Sequence, residues 1–130
     1  DYIMLLQPTS PLRSVVHVDE SIELLEGQDM DNVVGVTEVT HPYEWTNTLP
    51  HNMSMDGFIS DEAYLTRSQD FPKRYQINGA IYLIKKEVFL LCKKMISSKK
   101  SIAYIMDQNC SVDIDTENDL LLAECVIKKL

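Results

Sequence analysis

Three stretches of this 130-residue chain concentrate side chains that could do chemistry. The first is Leu5-Leu6-Gln7-Pro8-Thr9-Ser10-Pro11-Leu12-Arg13. Two prolines stiffen a loop just beyond an apolar run. Gln7, Thr9 and Ser10 offer donors and acceptors, and Arg13 offers a planar fork for phosphate or carboxylate. The same residues suit a strand-to-helix turn in which Ser and Thr bond their own backbone. The second stretch is Ser111-Val112-Asp113-Ile114-Asp115-Thr116. Read as a strand, its alternation sets Asp113 and Asp115 on one face. Two carboxylates so close repel unless a cation or proton lies between them. A hard ion such as Mg²⁺, which takes one or two carboxylates together with substrate phosphate oxygens, is the natural occupant. The competing reading makes Asp115 or Thr116 the cap of a final helix, with Glu117 and Asp119 favouring its positive end. The third stretch runs from Arg67 to Tyr82 and packs Arg67, Lys73 and Arg74 closely before an Asn78-Gly79 turn signal. It suits an anionic ligand, or a solvated loop.

The elements that position these stretches follow from the hydrophobic pattern. Tyr2 to Leu6 is a short apolar run that reads as a buried strand, often of a parallel sheet. A helix is expected over about His17 to Glu26, with Gly27 as its stop. Strands are expected at Asn32–Val39, Ala80–Ile84, Ser101–Met106 and Ser111–Ile114. Lys86–Ile96 is the clearest amphipathic helix, with Val88, Leu91, Cys92, Met95 and Ile96 along one side. A last helix covers about Glu117 to Lys129. From Thr40 to Gln76 the periodicity is weak and broken by Pro42, Pro50, Gly57 and Pro72, which suggests a lid, a binding loop or an arm on another subunit. Strands alternating with helices predict a layered α/β sheet with ligands at the carboxyl ends of its strands.

Composition narrows the function classes. The chain is 45% hydrophobic and 25% charged, so disorder and coiled coil fit poorly. Its formal charge of −8 shows no basic face for nucleic acid. No apolar stretch reaches the length of about 18 residues that a membrane helix needs, and no secretory signal opens the chain. Cys92, Cys110 and Cys125 form no C-x-x-C pair, which argues against a disulfide framework or zinc site and for a reducing cytoplasm. His17, His41 and His51 show no metal spacing, and Tyr43 and Trp45 read as packing anchors. Asp1 leads at once into a core-like strand, so the chain is expected to be the later part of a longer protein.

Taken in order, Gln7-Pro8-Thr9-Ser10-Pro11-Leu12-Arg13, Arg67-Ser68-Gln69, Asn78-Gly79-Ala80-Ile81-Tyr82 and Asp113-Ile114-Asp115-Thr116 resemble the motifs of the acylneuraminate cytidylyltransferases, the CMP-sialic acid synthetases and their bacterial relatives. The resemblance implies a Rossmann-like nucleotidyltransferase α/β sheet, here its C-terminal portion over residues 1–130, with a dimerisation arm inserted at about 40–76. It implies transfer of CMP from CTP to a nonulosonic acid, N-acetylneuraminate or legionaminate, with release of pyrophosphate. By that resemblance Gln7 bonds the sugar, and Thr9, Ser10 and Arg13 shape its loop. Arg67, Asn78 and Tyr82 line the sugar pocket, Arg67 also standing in the catalytic set. Asp113 and Asp115 hold Mg²⁺. A homodimer is implied, with Met95-Ile96 near the partner's site, and neither nucleic acid nor membrane as a partner.

The chain also departs from that pattern. The family's Gly-rich basic segment that cradles the CTP phosphates is absent, so the chain by itself is expected to turn over negligibly. Gln76 stands where many members carry Arg, and Glu44 where sialic acid enzymes often carry Lys. Both changes remove positive charge, for which Lys73 or Arg74 could substitute, or the acceptor is a different nonulosonate. The Pro42–Pro50 stretch looks more like the legionaminic acid branch. The rival expectations are a KDO cytidylyltransferase and a non-catalytic dimerisation fragment.

Overall fold

The computed structural model describes residues 1–97 and 99–129. The chain divides into two compact units: one takes Asp1–Thr37 and resumes at Gln76, the other is Glu38–Tyr75. In chain order the helices and strands are β1 (Tyr2–Leu5), α1 (Val15–Glu26), β2 (Asn32–Glu38), α2 (Asp61–Leu65), β3 (Tyr75–Lys85), α3 (Lys86–Cys92), β4 (Ser101–Ile105) and α4 (Glu117–Ile127).

The first unit is an α/β layer on a four-stranded mixed sheet of order β1-β3-β2-β4. β1 pairs antiparallel with β3, Tyr2 opposite Lys85 and Leu5 opposite Tyr82. β2 pairs parallel with β4, Asn32 opposite Ser101 and Val36 opposite Ile105. Lys85 N–H donates to Asp31 O at 3.0 Å, while Gly35 further along β2 lies against Ile81, earlier on β3, so these two strands progress in opposite directions. The carboxyl ends of β1, β2 and β4 therefore share one edge of the sheet.

The Val-rich β2 is central and buried through Gly35, as a strand covered on both faces must be. Its Val33 joins Leu25 of α1, Ala80, Ile81 and Leu83 of β3 and Met106 in one apolar core. Each large aliphatic side chain sealed there contributes about 1.5–3 kcal/mol relative to exposure. β1 differs from expectation: it is an edge strand paired antiparallel, and Tyr2 and Leu5 stay 42% and 43% exposed. Tyr2 and Leu5, on opposite faces, are exposed at the two ends of the strand, and Ile3 and Met4 between them are partly covered.

Caps set the helix ends. α1 starts two residues earlier than its apolar pattern suggests because Ser14 caps it, in a capping box closed by His17. Gly27 stops it in an ordinary right-handed conformation, its N–H on Glu23 O at 2.8 Å. α4 starts at a second capping box, Thr116 with Asp119. It buries Ala123 and leaves Leu120, Leu121 and Leu122 exposed. α3 ends at Cys92, short of the expected Ile96, because Lys93 turns left-handed with φ 54°. Amphipathic spacing cannot register such a stop, and Leu91 is 87% exposed.

The second unit opens and closes on a backbone bond from Val39 N–H to Arg74 O at 2.8 Å. Within it lie two 3₁₀ turns, Tyr43–Trp45 and Ser68–Asp70, and the short α2, whose Ser60 cap accepts from Ala63 N–H at 3.1 Å. Trp45 meets Phe71 edge-on at 6.1 Å, the packing role expected for it. The region read as irregular is thus a compact body with one helix that its broken periodicity concealed. No described helix is long and apolar enough to cross a membrane.

Lys93 supplies a stability test. A left-handed residue other than glycine costs about 1–2 kcal/mol, and glycine's extra chain entropy returns about 0.5–1 of that. Lys93→Gly should therefore stabilise the protein by about 0.5–1 kcal/mol, while Lys93→Val should destabilise it. Urea unfolding of the three proteins measures both signs.

Candidate functional site

At the carboxyl end of β1 the chain makes a four-residue turn, with Ser10 N–H on Gln7 O at 3.2 Å. Pro8 sits at the second position of that turn, where its fixed φ is already correct. Ser10 is fully buried, and its hydroxyl donates to Asn78 O at 3.4 Å. Leu12 is buried below the loop. Arg13 Nη1 donates to Ala80 O at 2.7 Å and to Gln7 O at 3.4 Å. The guanidinium thus staples the loop to β3, and Ser14 then opens α1.

Asn78 and Gly79 lie inside β3, not in a turn before it as the dipeptide suggested. Gly79 has φ +74°, and a Cβ there would stand 2.3 Å from Gln7 Oε1. Only glycine lets the Gln7 amide rest on the β3 backbone. Gly35 does the same for Asn78, since a Cβ at 35 would come within 2.7 Å of Asn78 Oδ1. Asn78 is 5% exposed and fully engaged. Its Nδ2 donates to Ser111 Oγ at 3.0 Å and Met106 Sδ at 3.3 Å, and its Oδ1 accepts from Ala80 N–H at 3.1 Å. Asn78 therefore ties β3 to the segment after β4, next to the Gly79 that carries Gln7. Tyr82, opposite Leu5, is half-buried further along β3.

The acidic segment reaches Asn78 without forming the expected strand at Ser111–Ile114. Two anchors take the place of a ladder: Ser111 through Asn78, and Ile114 N–H on Thr9 O at 2.8 Å. Asp113 lies between the anchors and Asp115 just beyond the second. Thr116, not Asp115, is the helix cap. Asp119 Oδ2 accepts from Thr116 N–H at 2.8 Å, from Asp115 N–H at 3.2 Å and from the Thr116 hydroxyl at 2.7 Å. These bonds hold the Asp119 carboxyl below its ordinary value, the Thr116 hydroxyl contributing most. Only the capping chemistry of the segment is seen, and without a strand at 111–114 alternation no longer sets Asp113 and Asp115 on one face. Thr116 and Asp119 cap α4, and the carboxylates of Asp113 and Asp115 remain exposed, with no partner among the described residues. No group of three or more His, Cys, Asp or Glu side chains gathers among the described residues. A divalent ion at Asp113 and Asp115 would hence need further oxygen ligands from substrate or water. Two exposed hard carboxylates suit that arrangement.

Arg67 belongs to the second unit, where it is exposed at the start of the Ser68–Asp70 turn. The cations that could offset Gln76 and Glu44 are both paired there. Arg74 donates from Nε to Glu44 Oε1 at 2.9 Å and from Nη2 to the same oxygen, and stacks over Tyr43 at 5.4 Å. Lys73 meets Glu38 at 2.8 Å. The Arg74 bonds hold the Glu44 carboxyl below its usual range. Sequence reasoning missed Ser111, Gly35 and Asp119 as parts of the site. The third-position acid of a capping box was the available signal for Asp119, whereas nothing local marks the other two.

Substituting Gly79 by Ala should strain β3 and expel the Gln7 amide from its seat. The expected cost is at least about 1–3 kcal/mol, with a large shift of the Gln7 side-chain amide in a ¹⁵N spectrum; an unmoved amide removes the seat. Asp119 supplies a pH test. Its folded value lies below its unfolded one, so its contribution is complete above the ordinary 3.8 and is lost as pH falls through the lowered value. Asp119→Asn should remove that acid-sensitive part of stability, measured by denaturant midpoints from about pH 5 to pH 2.

No family model matches the chain. Among curated proteins it is 38% identical over 119 residues to an N-acylneuraminate cytidylyltransferase of Streptococcus agalactiae serotype V, covering 91% of this chain. It is 33% identical over 126 residues to an N-acylneuraminate cytidylyltransferase of Escherichia coli O18:K1:H7, covering 96%. It is 34% identical over 68 residues, 52% of its length, to a CMP-N,N'-diacetyllegionaminic acid synthase of Campylobacter jejuni. The matches span 28% to 29% of the length of these relatives.

Proposed function

We propose, from the premise that this chain is similar over nine-tenths of its length to N-acylneuraminate cytidylyltransferases, that it is the acceptor-sugar and metal-binding portion of a CMP-nonulosonate synthetase. The sheet is then part of a Rossmann-like nucleotidyltransferase domain, and the reaction transfers CMP from CTP to a nonulosonic acid with loss of pyrophosphate. The observation that carries this is the tie between two segments far apart in sequence. Thr9 O holds Ile114 N–H, so the turn bearing Gln7 and the segment bearing Asp113 and Asp115 share one edge of the sheet.

Each residue has a task in that reaction. Gln7, seated on Gly79, presents its amide to sugar hydroxyls, an amide being both donor and acceptor. Ser10, Arg13 and Asn78 tie its loop to β3, and Tyr82 lines the strand beside it. Asp113 and Asp115 would hold Mg²⁺. When bound, the ion supplies charge neutralisation at the reacting phosphates, which is what nucleotidyl transfer chiefly needs. The Pro42–Pro50 stretch, which resembles the legionaminic acid branch, supports legionaminate over N-acetylneuraminate as acceptor.

The compactness of Glu38–Tyr75 supports its role as a dimerisation arm, and Tyr64 and Leu65, 76% and 81% exposed, supply apolar surface for a homodimer. Three unpaired cysteines suit a cytoplasmic setting.

The test is pyrophosphate release by the complete gene product with CTP, Mg²⁺ and each acid in turn. Release is expected with a nine-carbon acid, fastest with legionaminate. Preference for the eight-carbon acid KDO would reassign the acceptor, and no release with any acid would remove the proposal. Gln7→Ala should raise KM for the sugar by about two- to tenfold, the value of one lost hydrogen bond to an uncharged group. Asp115→Asn should abolish turnover with the fold unchanged by circular dichroism.

A further inference from the structure

Ser111 lies outside the residues just assigned, yet its hydroxyl uses both of its capacities. It accepts from Asn78 Nδ2 at 3.0 Å and donates to Asp107 O at 2.8 Å. Its own N–H donates to Gln108 O at 3.1 Å, closing the 3₁₀ turn Gln108–Cys110 in front of the acidic segment. Upstream, Met106 N–H is bonded to Val36 O at 2.8 Å, so the bond to Asp107 leads directly to the sheet edge. Because 111–114 has no strand ladder, its backbone is located at one end by the Ser111 hydroxyl and the local bond of the Ser111 N–H, and at the other by the Ile114–Thr9 bond. Asp113 is suspended between them.

We propose that Ser111 is a positioning residue for the divalent ion: its hydroxyl, clamped between Asn78 and the Asp107 carbonyl, sets where the Asp113 carboxylate stands relative to Asp115. The inference rests on the metal reading above. Asp115 is anchored separately, through Ile114 on one side and the Asp119 capping box on the other. Removing the Ser111 hydroxyl leaves only the local bond to Gln108 and cuts the tie to Asn78, which loosens the end that carries Asp113 while Asp115 keeps both of its anchors. Losing one of two carboxylates from a preset geometry weakens the ion's binding without removing either charge. Residues that orient metal ligands are typically worth about 10–100-fold in metal affinity.

The experiment uses Mn²⁺ alone as the probe, titrated into the protein and followed by water-proton relaxation, with thermal unfolding recorded on the same samples. Ser111→Ala should weaken Mn²⁺ binding by about tenfold, and Ser111→Thr, which keeps the hydroxyl, should return it to within about twofold of the unaltered protein. Mn²⁺ affinity unchanged in folded Ser111→Ala overturns the inference even if stability falls. So does equal weakening in Ser111→Thr, because the hydroxyl is then not the cause. If Ser111→Ala does not fold, Ser111→Cys, close in volume and weaker in both bonds, takes its place with the same opposing outcomes. Failure of the metal reading looks different: the unaltered protein binds no Mn²⁺, or Asp113→Asn binds it equally well, and either result removes both proposals.

Discussion

A primary amide sealed from water must find partners for its two N–H groups and its oxygen inside the protein, and Asn78 does so. Its partners are Ser111, Met106 and Ala80, and its backbone oxygen takes the Ser10 hydroxyl. These residues come from the loop after β1, the middle of β3, the end of β4 and the approach to α4. Leaving any one donor unpaired in that setting costs about 1–3 kcal/mol. One residue, through its side chain and its backbone oxygen, thus makes four segments mutually dependent, and the candidate site is the surface they jointly support.

Rigidity is concentrated in the backbone there, and freedom is left to the groups that would meet a ligand. Pro8 presets the turn, Gly79 gives Gln7 its seat and Gly35 clears the space beside Asn78. Arg13, which the sequence offered as a grip for an anion, spends its Nη1 on two carbonyls of the scaffold. Asp113 and Asp115 hold exposed carboxylates on an anchored chain. Such an arrangement favours exchange of a ligand or ion without reorganisation of the site, since the ordering cost is met on folding.

Charge is distributed differently in the Glu38–Tyr75 unit. There two of the positive side chains are answered locally, Arg74 by Glu44 and Lys73 by Glu38. The Glu44 carboxylate also shows why a single substitution in a motif cannot be judged alone. Replacing a lysine by a glutamate removes one positive charge directly and, through Arg74, neutralises a second.

The sequence by itself determined the element types and the residues of chemical interest. Valine runs, helical spacing and capping signals are local, and they located β2, α1, α4 and the three polar stretches to within a few residues. Other features arise only when distant segments meet. The strand at Tyr75–Lys85 extends through an Asn-Gly pair that reads locally as a turn, and Gly79 takes its positive φ inside the strand, where Gln7 of the loop after β1 lies against it. Alternation suggested a strand at 111–114, but a strand needs a neighbour to bond, and the tertiary fold gave this segment two anchors instead. The roles of Gly35 and Ser111 depend wholly on Asn78, 43 residues from one and 33 from the other along the chain. No local pattern encodes such a contact, since it exists only once the sheet has brought its strands into register.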